Sequence, residues 1–310
     1  MKFAILGAGS LGSAIGGVLT EAGHSVCLIT RNQAHVEAIN QRGLVLRTDG
    51  VDRTVKAQAA TSAIAAGVVD CVIVLVKSAQ TRQAMEATLS LLGPDTTVLS
   101  LQNGLGHEDI LSDVVGRGRV LAGKCYCGGQ IIAPGQVICG TKGKDTHMGE
   151  LDGSMSPRIL RIAAAFNGAG LHTVVSDNIM GTIWDKLFIN VATGALSGIT
   201  RLAYGDLYQV PELRECAVAA VREAMAVAQA RGVRTSITDP LQAWTKAGAG
   251  LPYEFKASIL QTLERGVRTE VDYINGAVVQ LGAQHGVPTP VNATLLACIK
   301  GLEQLLPPSL

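Results

Sequence analysis

Three features of the sequence predict an α/β fold, in which an N-terminal Rossmann-type, doubly wound sheet is followed by an all-helical C-terminal domain. The chain opens with a glycine-rich turn between a strand pattern and a helix pattern. Short apolar strands then alternate with helical patterns as far as residue 175, as in a parallel sheet covered by helices. Beyond that point the strand signals stop. We therefore expect a nucleotide-binding sheet domain over residues 1–175 and a helical, substrate-binding domain over residues 176–310.

The glycine-rich turn has the spacing of a dinucleotide-binding fingerprint. It follows an apolar strand and consists of Gly7, Ala8, Gly9, Ser10, Leu11 and Gly12. In such turns the first glycine permits a tight turn, the second leaves room for phosphates, and the third lets the helix pack against the strand. The helix N-terminus then offers free N–H groups to the pyrophosphate. The alternative is a glycine turn without a ligand, and the strand and helix on either side favour the nucleotide site.

The residues after the second strand favour NADP over NAD. NAD-binding chains usually carry an acidic residue there, which holds the ribose 2′-hydroxyl, whereas this chain has Thr30, Arg31 and Asn32. A guanidinium can bind a 2′-phosphate through paired, charge-assisted hydrogen bonds. We therefore expect Arg31 to contact that phosphate; the alternative is a solvated arginine at a strand end.

Length, charge and cysteine usage exclude several classes of function. The 310 residues are 47% hydrophobic and 16% charged, which is enough for two domains with buried cores. A net charge of +1 without a basic run argues against nucleic-acid and membrane partners. The sequence has no secretory-signal pattern and no long apolar run, so we expect a cytoplasmic protein. The seven cysteines lack zinc-site spacing, and we expect neither a disulfide framework nor a metal site.

The remaining strands of the first half follow from hydrophobic runs and turn residues. Residues 70–76 and 97–101 are mainly apolar, which is typical of central strands buried on both faces. Residues 119–150 form short β segments separated by glycine and Pro-Gly turns, and we expect them to add antiparallel strands at the far side of the sheet. A helix over residues 157–166 and a strand over residues 172–175 complete this half.

Capping residues and prolines predict the first helices of the second half. Ser176 or Asp177 is a suitable N-cap for a long helix that runs toward Gly198. Pro211 is well placed in the first turn of a second helix, which should end near Gly232.

A helix break is expected between Ser258 and Glu270. On one unbroken helix these residues would lie about 18 Å apart, too far to touch one small molecule. Gly266 weakens the helix and Thr269 is a good N-cap. We therefore expect a new helix that starts near Thr269 and ends near Gly286, with Glu270 at its start, beside the substrate cleft.

One helical segment combines residues suited to ketone reduction. Lys186 and Asn190 are one turn apart on the same face, inside the segment Trp184-Asp185-Lys186-Leu187-Phe188-Ile189-Asn190. Hydride addition to a ketone leaves charge on its oxygen, so the reaction needs a proton donor. Apolar neighbours can desolvate the Lys186 ammonium and lower its pKa toward the range useful for proton donation. The alternative is an ordinary helix lysine with its head in water.

Together these motifs resemble those of the ketopantoate reductase (2-dehydropantoate 2-reductase) family. The matches run nearly end to end: Gly7 to Gly12, Val76-Lys77-Ser78, Gln102-Asn103-Gly104, Pro134-Gly135-Gln136-Val137, the segment from Trp184 to Asn190, and Arg268-Thr269-Glu270-Val271-Asp272-Tyr273-Ile274-Asn275-Gly276. The resemblance implies NADPH-dependent reduction of 2-dehydropantoate to pantoate, a step of pantothenate biosynthesis. The substrate would lie in a cleft between the domains.

The resemblance also implies a role for each matching residue. Lys186 would donate a proton to the keto oxygen, and the substrate would be held by Asn190, Ser258 and Glu270. Gly129 would supply a backbone contact at the nicotinamide end. The cofactor would be bound by Gly7, Ala8, Gly9, Ser10, Leu11, Gly12, Arg31, Lys77, Asn103, Gly129 and Glu270.

Three positions depart from the family's usual pattern. Gly194, Tyr204 and Phe255 stand where these reductases usually have asparagine. A buried polar substrate group left without its partner costs roughly 1 to 3 kcal/mol. Thr193 and Ser197 lie on the Lys186 face of the helix, where they could supply hydroxyls in place of the missing amides. Tyr204 and Phe255 suggest a more aromatic side of the pocket.

The departures leave the substrate open, and two alternatives remain. The first is a D-2-hydroxy acid dehydrogenase of the same superfamily that acts on aromatic or branched 2-oxo acids. The second is a non-catalytic sensor that binds NADPH, although the retained Lys186, Asn190 and Glu270 argue against it. A homodimer also remains open, because an Ala- and Val-rich helix face suits either a subunit interface or an internal core.

Overall fold

The computed structural model describes residues 1–307, which form two compact units. The first unit comprises Met1–Gln102 and His107–Ile179, and the second comprises Asn103–Gly106 and the chain from Met180 onward. The short segment Asn103–Gly106 therefore belongs with the helical unit, although only two residues separate it from a strand of the first.

The first unit alternates strands and helices. Its elements are β1 (Lys2–Leu6), α1 (Ser10–Glu21), β2 (Ser25–Ile29), α2 (Gln33–Arg42), β3 (Leu44–Thr48), β4 (Val51–Val55), β5 (Gln58–Ala60), β6 (Val69–Val74), α3 (Thr81–Glu86), β7 (Leu92–Ser100), α4 (His107–Val115), β8 (Val120–Cys125), β9 (Gly128–Ala133), β10 (Gln136–Gly140), β11 (Thr146–Glu150), α5 (Pro157–Gly168) and β12 (Thr173–Val175).

The main sheet has eight strands in the order β12-β11-β8-β7-β6-β1-β2-β5. Strands β8, β7, β6, β1, β2 and β5 are parallel, whereas β11 pairs antiparallel with β8. Alternate residues of β1 face opposite sides: Phe3 and Ile5 pack with α1 and α5, and Ala4 and Leu6 pack in a second core beside α3 and α4. The mainly apolar runs are thus buried on both faces, and the prediction of a doubly wound sheet is confirmed.

The prediction that residues 119–150 all extend this sheet is wrong in part. Strand β11 does add to it, but β9 and β10 join β3 and β4 in a separate four-stranded sheet of order β4-β3-β10-β9. The β3–β4 turn is Asp49-Gly50, whose φ values of 51° and 80° suit a tight hairpin. Helix α1 packs closely between the two sheets. A Cβ at Gly16 would meet Leu28 of one sheet, and a Cβ at Gly17 would meet Leu46 of the other.

Within residues 180–307, all the regular elements of the second unit are helices, joined by loops. Its helices are α6 (Ile179–Thr200), α7 (Tyr204–Leu207), α8 (Pro211–Ala230), α9 (Pro240–Gly248), α10 (Ser258–Glu264), α11 (Asn275–His285) and α12 (Pro290–Glu303). The predicted helix start at Pro211 is confirmed. Helix α6 begins just after the predicted caps and ends just beyond Gly198. Over residues 1–307, none of the helices combines the length and apolar character needed to cross a membrane.

The predicted break before Glu270 is present, but the new helix does not start at Thr269. A short 3-10 turn, Val271–Tyr273, comes first, and α11 begins only at Asn275. Ile274, with φ −110° and ψ −93°, interrupts the helical path between the two. Thr269 Oγ1 accepts the Val271 N–H at 3.2 Å and donates to Glu303 at 2.7 Å, so this threonine organises a turn tied to α12.

Candidate active site

The fingerprint turn of the first unit has the geometry that an anion site needs. Gly7 has φ +102°, and a Cβ there would lie 2.4 Å from the Val76 nitrogen. A Cβ at Gly12 would lie 2.3 Å from the Gly7 oxygen, so this glycine is required for the helix to approach the turn. Gly9 is exposed, and a Cβ at this position would have no neighbouring atom within 4 Å, so there is open space above the turn.

The start of α1 offers backbone donors next to that space. Gly9 is the N-cap residue, and no side chain caps the helix. The first N–H groups of a helix have no partner within the helix itself, and with the helix dipole they attract anions. Gly129 lies on the other side of this turn, where a Cβ would come within 2.5 Å of the Ser10 oxygen. The backbone of β9 therefore passes directly beside the start of α1.

A cleft of about 550 Å³ opens at the carboxyl ends of β1, β2 and β6. The predicted residues Gly7, Gly9, Arg31 and Lys77 line it. The Arg31 and Lys77 side chains are exposed, so both cations are available to a bound anion. Asn32, which also lines the cleft, caps α2 by accepting the His35 N–H at 3.1 Å. Ligands of open parallel sheets bind at this edge.

A buried histidine ties the fingerprint helix to the second sheet. His35 Nδ1 accepts the Gly135 N–H at 3.0 Å, and its Nε2 lies 3.0 Å from Ser13 Oγ. Ser13 Oγ in turn donates to the Ala8 carbonyl at 3.2 Å. Because Nδ1 must accept, the neutral tautomer carries its proton on Nε2 and donates to Ser13. Burial lowers the pKa of His35, so the ring stays neutral and this chain of bonds is maintained.

In the helical unit, Lys186 is paired with Asn103. The Lys186 ammonium donates to Asn103 Oδ1 at 2.7 Å, across 83 residues of sequence. Around Lys186 on α6, Trp184, Leu187 and Phe188 are buried and fix the helix, while the Lys186 side chain is itself half-buried. Two residues predicted separately, one for proton donation and one for cofactor binding, are thus in direct contact.

The turn that carries Asn103 is joined to the turn that follows Glu270. The Leu105 N–H donates to the Tyr273 carbonyl at 3.0 Å. Gly104 has φ +94°, and a Cβ there would lie 2.5 Å from the same oxygen. Glu270 directly precedes the Val271–Tyr273 turn, so the fold brings its segment and the Asn103 segment together. This proximity results from the break before α11.

Asn190 and Ser258 occupy neighbouring parts of the same unit. Asn190 lies one turn beyond Lys186 and is half-buried, and Ser258 is the exposed first residue of α10. Ile259, next to Ser258, packs on α6, where a Cβ at Gly194 would lie 3.2 Å from its Cδ1 atom. Ser258 is therefore held beside the turn of α6 that follows Asn190.

The prediction that Thr193 and Ser197 supply hydroxyls to a substrate is wrong. Both residues are buried. Thr193 Oγ1 lies 2.8 Å from the Tyr204 hydroxyl, and Ser197 Oγ donates to the Leu202 carbonyl at 2.8 Å. Helix periodicity places them on the Lys186 face, but the chain that folds back over that face satisfies both hydroxyls internally.

Asp185 has a structural role that its local sequence does not predict. Its carboxylate accepts the N–H groups of Ser236 and Ile237 at 3.0 and 2.9 Å and the Ser236 hydroxyl at 2.7 Å. This acceptor set fixes the loop between α8 and α9 to α6, next to Lys186. An acidic residue beside the candidate lysine was the available signal, but its partners are more than 50 residues away.

A glycine turn with an uncapped helix start on a parallel sheet, together with a lysine–amide pair on a helical unit, fits the class of nucleotide-dependent oxidoreductases. The chain belongs to the ketopantoate reductase family. Models of that family, described as "Ketopantoate reductase PanE/ApbA" and its C-terminal part, match residues 3–153 and 178–303.

Known relatives and solved structures are similar to this chain over nearly its whole length. The 2-dehydropantoate 2-reductase of Pyrococcus horikoshii is 33% identical over 305 residues, which cover 98% of each chain. That of Halobacterium salinarum is 32% identical and covers 97% of this chain and 98% of its own.

Among solved structures, a PanE/ApbA family ketopantoate reductase from Ralstonia eutropha has a TM-score of 0.89 at 35% identity, covering 99% of each chain. D-mandelate dehydrogenase, solved with NADH and anilino(oxo)acetate, has the same TM-score at 27% identity, again covering 99% of each chain. Both similarities support the fold predicted from the sequence.

Proposed function

We propose that the protein reduces 2-dehydropantoate to pantoate with NADPH. The observation that carries the proposal is the hydrogen bond of 2.7 Å between Lys186 Nζ and Asn103 Oδ1. This bond supports a role for Lys186 as a proton donor held in a fixed position. The family to which the chain belongs reduces a ketone next to a carboxylate, a reaction that needs such a donor. The curated relatives named above share this activity by name.

The residues of the first unit fit a nicotinamide dinucleotide. Gly9 leaves space for phosphates, the uncapped start of α1 offers N–H donors, and Lys77 adds a positive charge at the same edge. Arg31 is exposed at the end of β2, where it would bind a 2′-phosphate, and this supports NADP as the cofactor. When bound, the nicotinamide supplies the hydride that reduces the keto carbon.

The residues of the second unit supply the proton and hold the acid. Lys186 donates its proton to the keto oxygen as negative charge develops there. Asn103 fixes the direction of the ammonium through its carbonyl oxygen, and its amide nitrogen remains as a donor to a ligand. Asn190 and Ser258 offer an amide and a hydroxyl to the substrate carboxylate, with Glu270 at the adjoining turn.

The experiment that tests the proposal follows NADPH oxidation when 2-dehydropantoate is added, and identifies the product by chromatography. We expect turnover that depends on the 2-oxo acid and yields pantoate. A panel with 2-oxoisovalerate, pyruvate and phenylglyoxylate measures selectivity. If none of these acids is reduced while NADPH still binds, the proposal is wrong and the alternative of a nucleotide-binding sensor gains support.

The dehydrogenase alternative is less well supported. D-mandelate dehydrogenase has the same fold, but the curated relatives at 31–33% identity carry the 2-dehydropantoate reductase name. A homodimer and a cytoplasmic location stay predictions.

A further inference from the structure

A second cavity lies wholly within the helical unit. It has a volume of about 630 Å³ and is formed by the C-terminal half of α8, the loop over residues 231–239 and the start of α9. Cavities that bind small molecules have volumes of about 300 to 1,000 Å³. None of the residues proposed above for the cofactor or the substrate lines this one, which we call the α8–α9 cavity.

The lining of the α8–α9 cavity combines apolar and cationic side chains. Its apolar part includes the half-buried Met225 and Val233 and the buried Ile237. Among the described residues, the charged side chains that line the cavity are two exposed arginines, Arg222 and Arg234. A lining whose charges are all positive attracts anions, and a guanidinium binds a carboxylate, sulfonate or phosphate through two parallel hydrogen bonds.

The end of α8 is capped beside the cavity, which limits the negative partial charge that a helix C-terminus carries. Gly232 has φ +68°, and its N–H donates to the Gln229 carbonyl at 2.9 Å. The Val233 N–H donates to the Ala228 carbonyl at 3.0 Å. Because these bonds occupy carbonyl groups of the last turn, the two arginines dominate the charge of the lining.

The loop on one side of the cavity is the loop that Asp185 fixes to α6. Asp185 accepts the N–H groups of Ser236 and Ile237 at 3.0 and 2.9 Å. Thr235 and Ile237 of the same loop line the cavity, and the Thr235 hydroxyl donates to the Ile237 carbonyl at 3.2 Å. A molecule in the cavity therefore contacts a segment that is bonded to α6 at the residue next to Lys186.

We propose that the α8–α9 cavity is a second ligand site, which takes an organic anion with an apolar body and alters turnover through the loop that Asp185 holds. The two arginines bind the anionic group, and the apolar side chains of the lining contact the body of the molecule. The site is additional to the candidate active site. We therefore expect its occupant to change kcat without competing with the 2-oxo acid.

A fluorescent anion tests the binding step. The probe is 8-anilinonaphthalene-1-sulfonate, whose sulfonate and aromatic rings match the two parts of the lining and whose fluorescence rises in apolar surroundings. The titration contains saturating NADP⁺, which blocks the nucleotide cleft. We expect one site per chain, with a dissociation constant that rises with salt because exposed charges are screened.

Two arginine variants test where the probe binds. The double variant Arg222→Gln/Arg234→Gln removes both charges, and we expect the dissociation constant to rise by about tenfold or more. Arg214→Gln is the matched control, because Arg214 is an exposed arginine on α8 that does not line the cavity. We expect the control to bind the probe within twofold of the wild type. Equal losses in both variants, or no loss in the double variant, would overturn the inference.

A blocking variant and a turnover assay test the remaining steps. Ala226 is exposed and lines the cavity, so Ala226→Trp fills it, and we expect probe binding to be lost. We also expect the probe to change kcat at least twofold in the wild type but not in the double arginine variant. Unchanged binding in a folded Ala226→Trp, or an unchanged kcat in the wild type, would contradict the proposal. A wild-type dimer that Ala226→Trp converts to a monomer in analytical ultracentrifugation would show that a second copy covers the cavity, which also overturns it. The titrations need no turnover, so they decide the binding step even if the proposed reductase function fails.

Discussion

The hydrogen bond between Lys186 and Asn103 predicts a specific defect in the Asn103→Ala variant. A hydrogen bond to a charged group contributes about 1.5 to 3 kcal/mol. Because Asn103 is exposed and Lys186 only half-buried, the lower end applies, about 1.5 kcal/mol. Since about 1.4 kcal/mol corresponds to a tenfold change in rate, we expect kcat to fall about tenfold.

The assay for this variant is steady-state NADPH oxidation, with a conservative substitution for comparison. Asn103→Asp keeps an oxygen that accepts from Lys186, so we expect it to recover part of the lost kcat. NADPH affinity, measured by fluorescence titration, separates a change in proton donation from a change in cofactor binding. An Asn103→Ala variant with wild-type kcat, or with all of its loss in NADPH affinity, would refute the reasoning that Asn103 positions the ammonium.

Three further variants test other parts of the molecule. Arg31→Asp replaces attraction for a 2′-phosphate with repulsion, and we expect kcat/KM with NADPH to fall at least tenfold more than with NADH; equal losses would remove Arg31 from phosphate binding. Burial raises the pKa of Glu108 to about 7 from 4.5, so its native carboxyl keeps a proton that the unfolded chain releases, and stability falls as pH rises through this interval. Glu108→Gln should therefore raise the free energy of unfolding by up to about 3 kcal/mol at pH 8 and change it little at pH 4.5, as measured by urea denaturation; the same gain at both pH values would contradict this. Burial lowers the pKa of His35, so native stability is full above pH 6.5 and is lost as pH falls below it. The His35→Asn variant should have a lower free energy of unfolding than the wild type at pH 8, but this free energy should fall less between pH 8 and pH 5.5 than it does in the wild type. If it falls by the same amount in both proteins, His35 does not titrate with unfolding.

In the first unit, short sequence motifs predicted the structure well wherever the backbone geometry depends only on residues close together in the sequence. The fingerprint spacing indicates a positive φ at Gly7, open space at Gly9 and a close backbone approach at Gly12, and the structure has all three. The second sheet was missed although Asp49-Gly50 is a strong hairpin signal. Its strands pair β3 with β10, about 90 residues further along the chain, and spacing alone carries no information on such pairing.

The candidate site was predictable as single residues but not as contacts. Lys186 and Asn103 were each selected from local motifs, while their pairing depends on a segment that folds with the helical unit. For Thr193 and Ser197 the prediction was wrong, because periodicity placed both on the Lys186 face but Tyr204 and Leu202 satisfy their hydroxyls. Whether a polar side chain is available to a ligand depends on tertiary contacts that helix geometry does not reveal.

Lys186→Ala tests most directly whether Lys186 gives the proton to the keto oxygen. Lys246→Ala is a matched control, because Lys246 is an exposed lysine on α9 of the same unit. We expect kcat for Lys186→Ala to fall by about 10²- to 10⁴-fold while NADPH binds with unchanged affinity, and Lys246→Ala to match the wild type. Turnover by Lys186→Ala within threefold of the wild type would contradict the account.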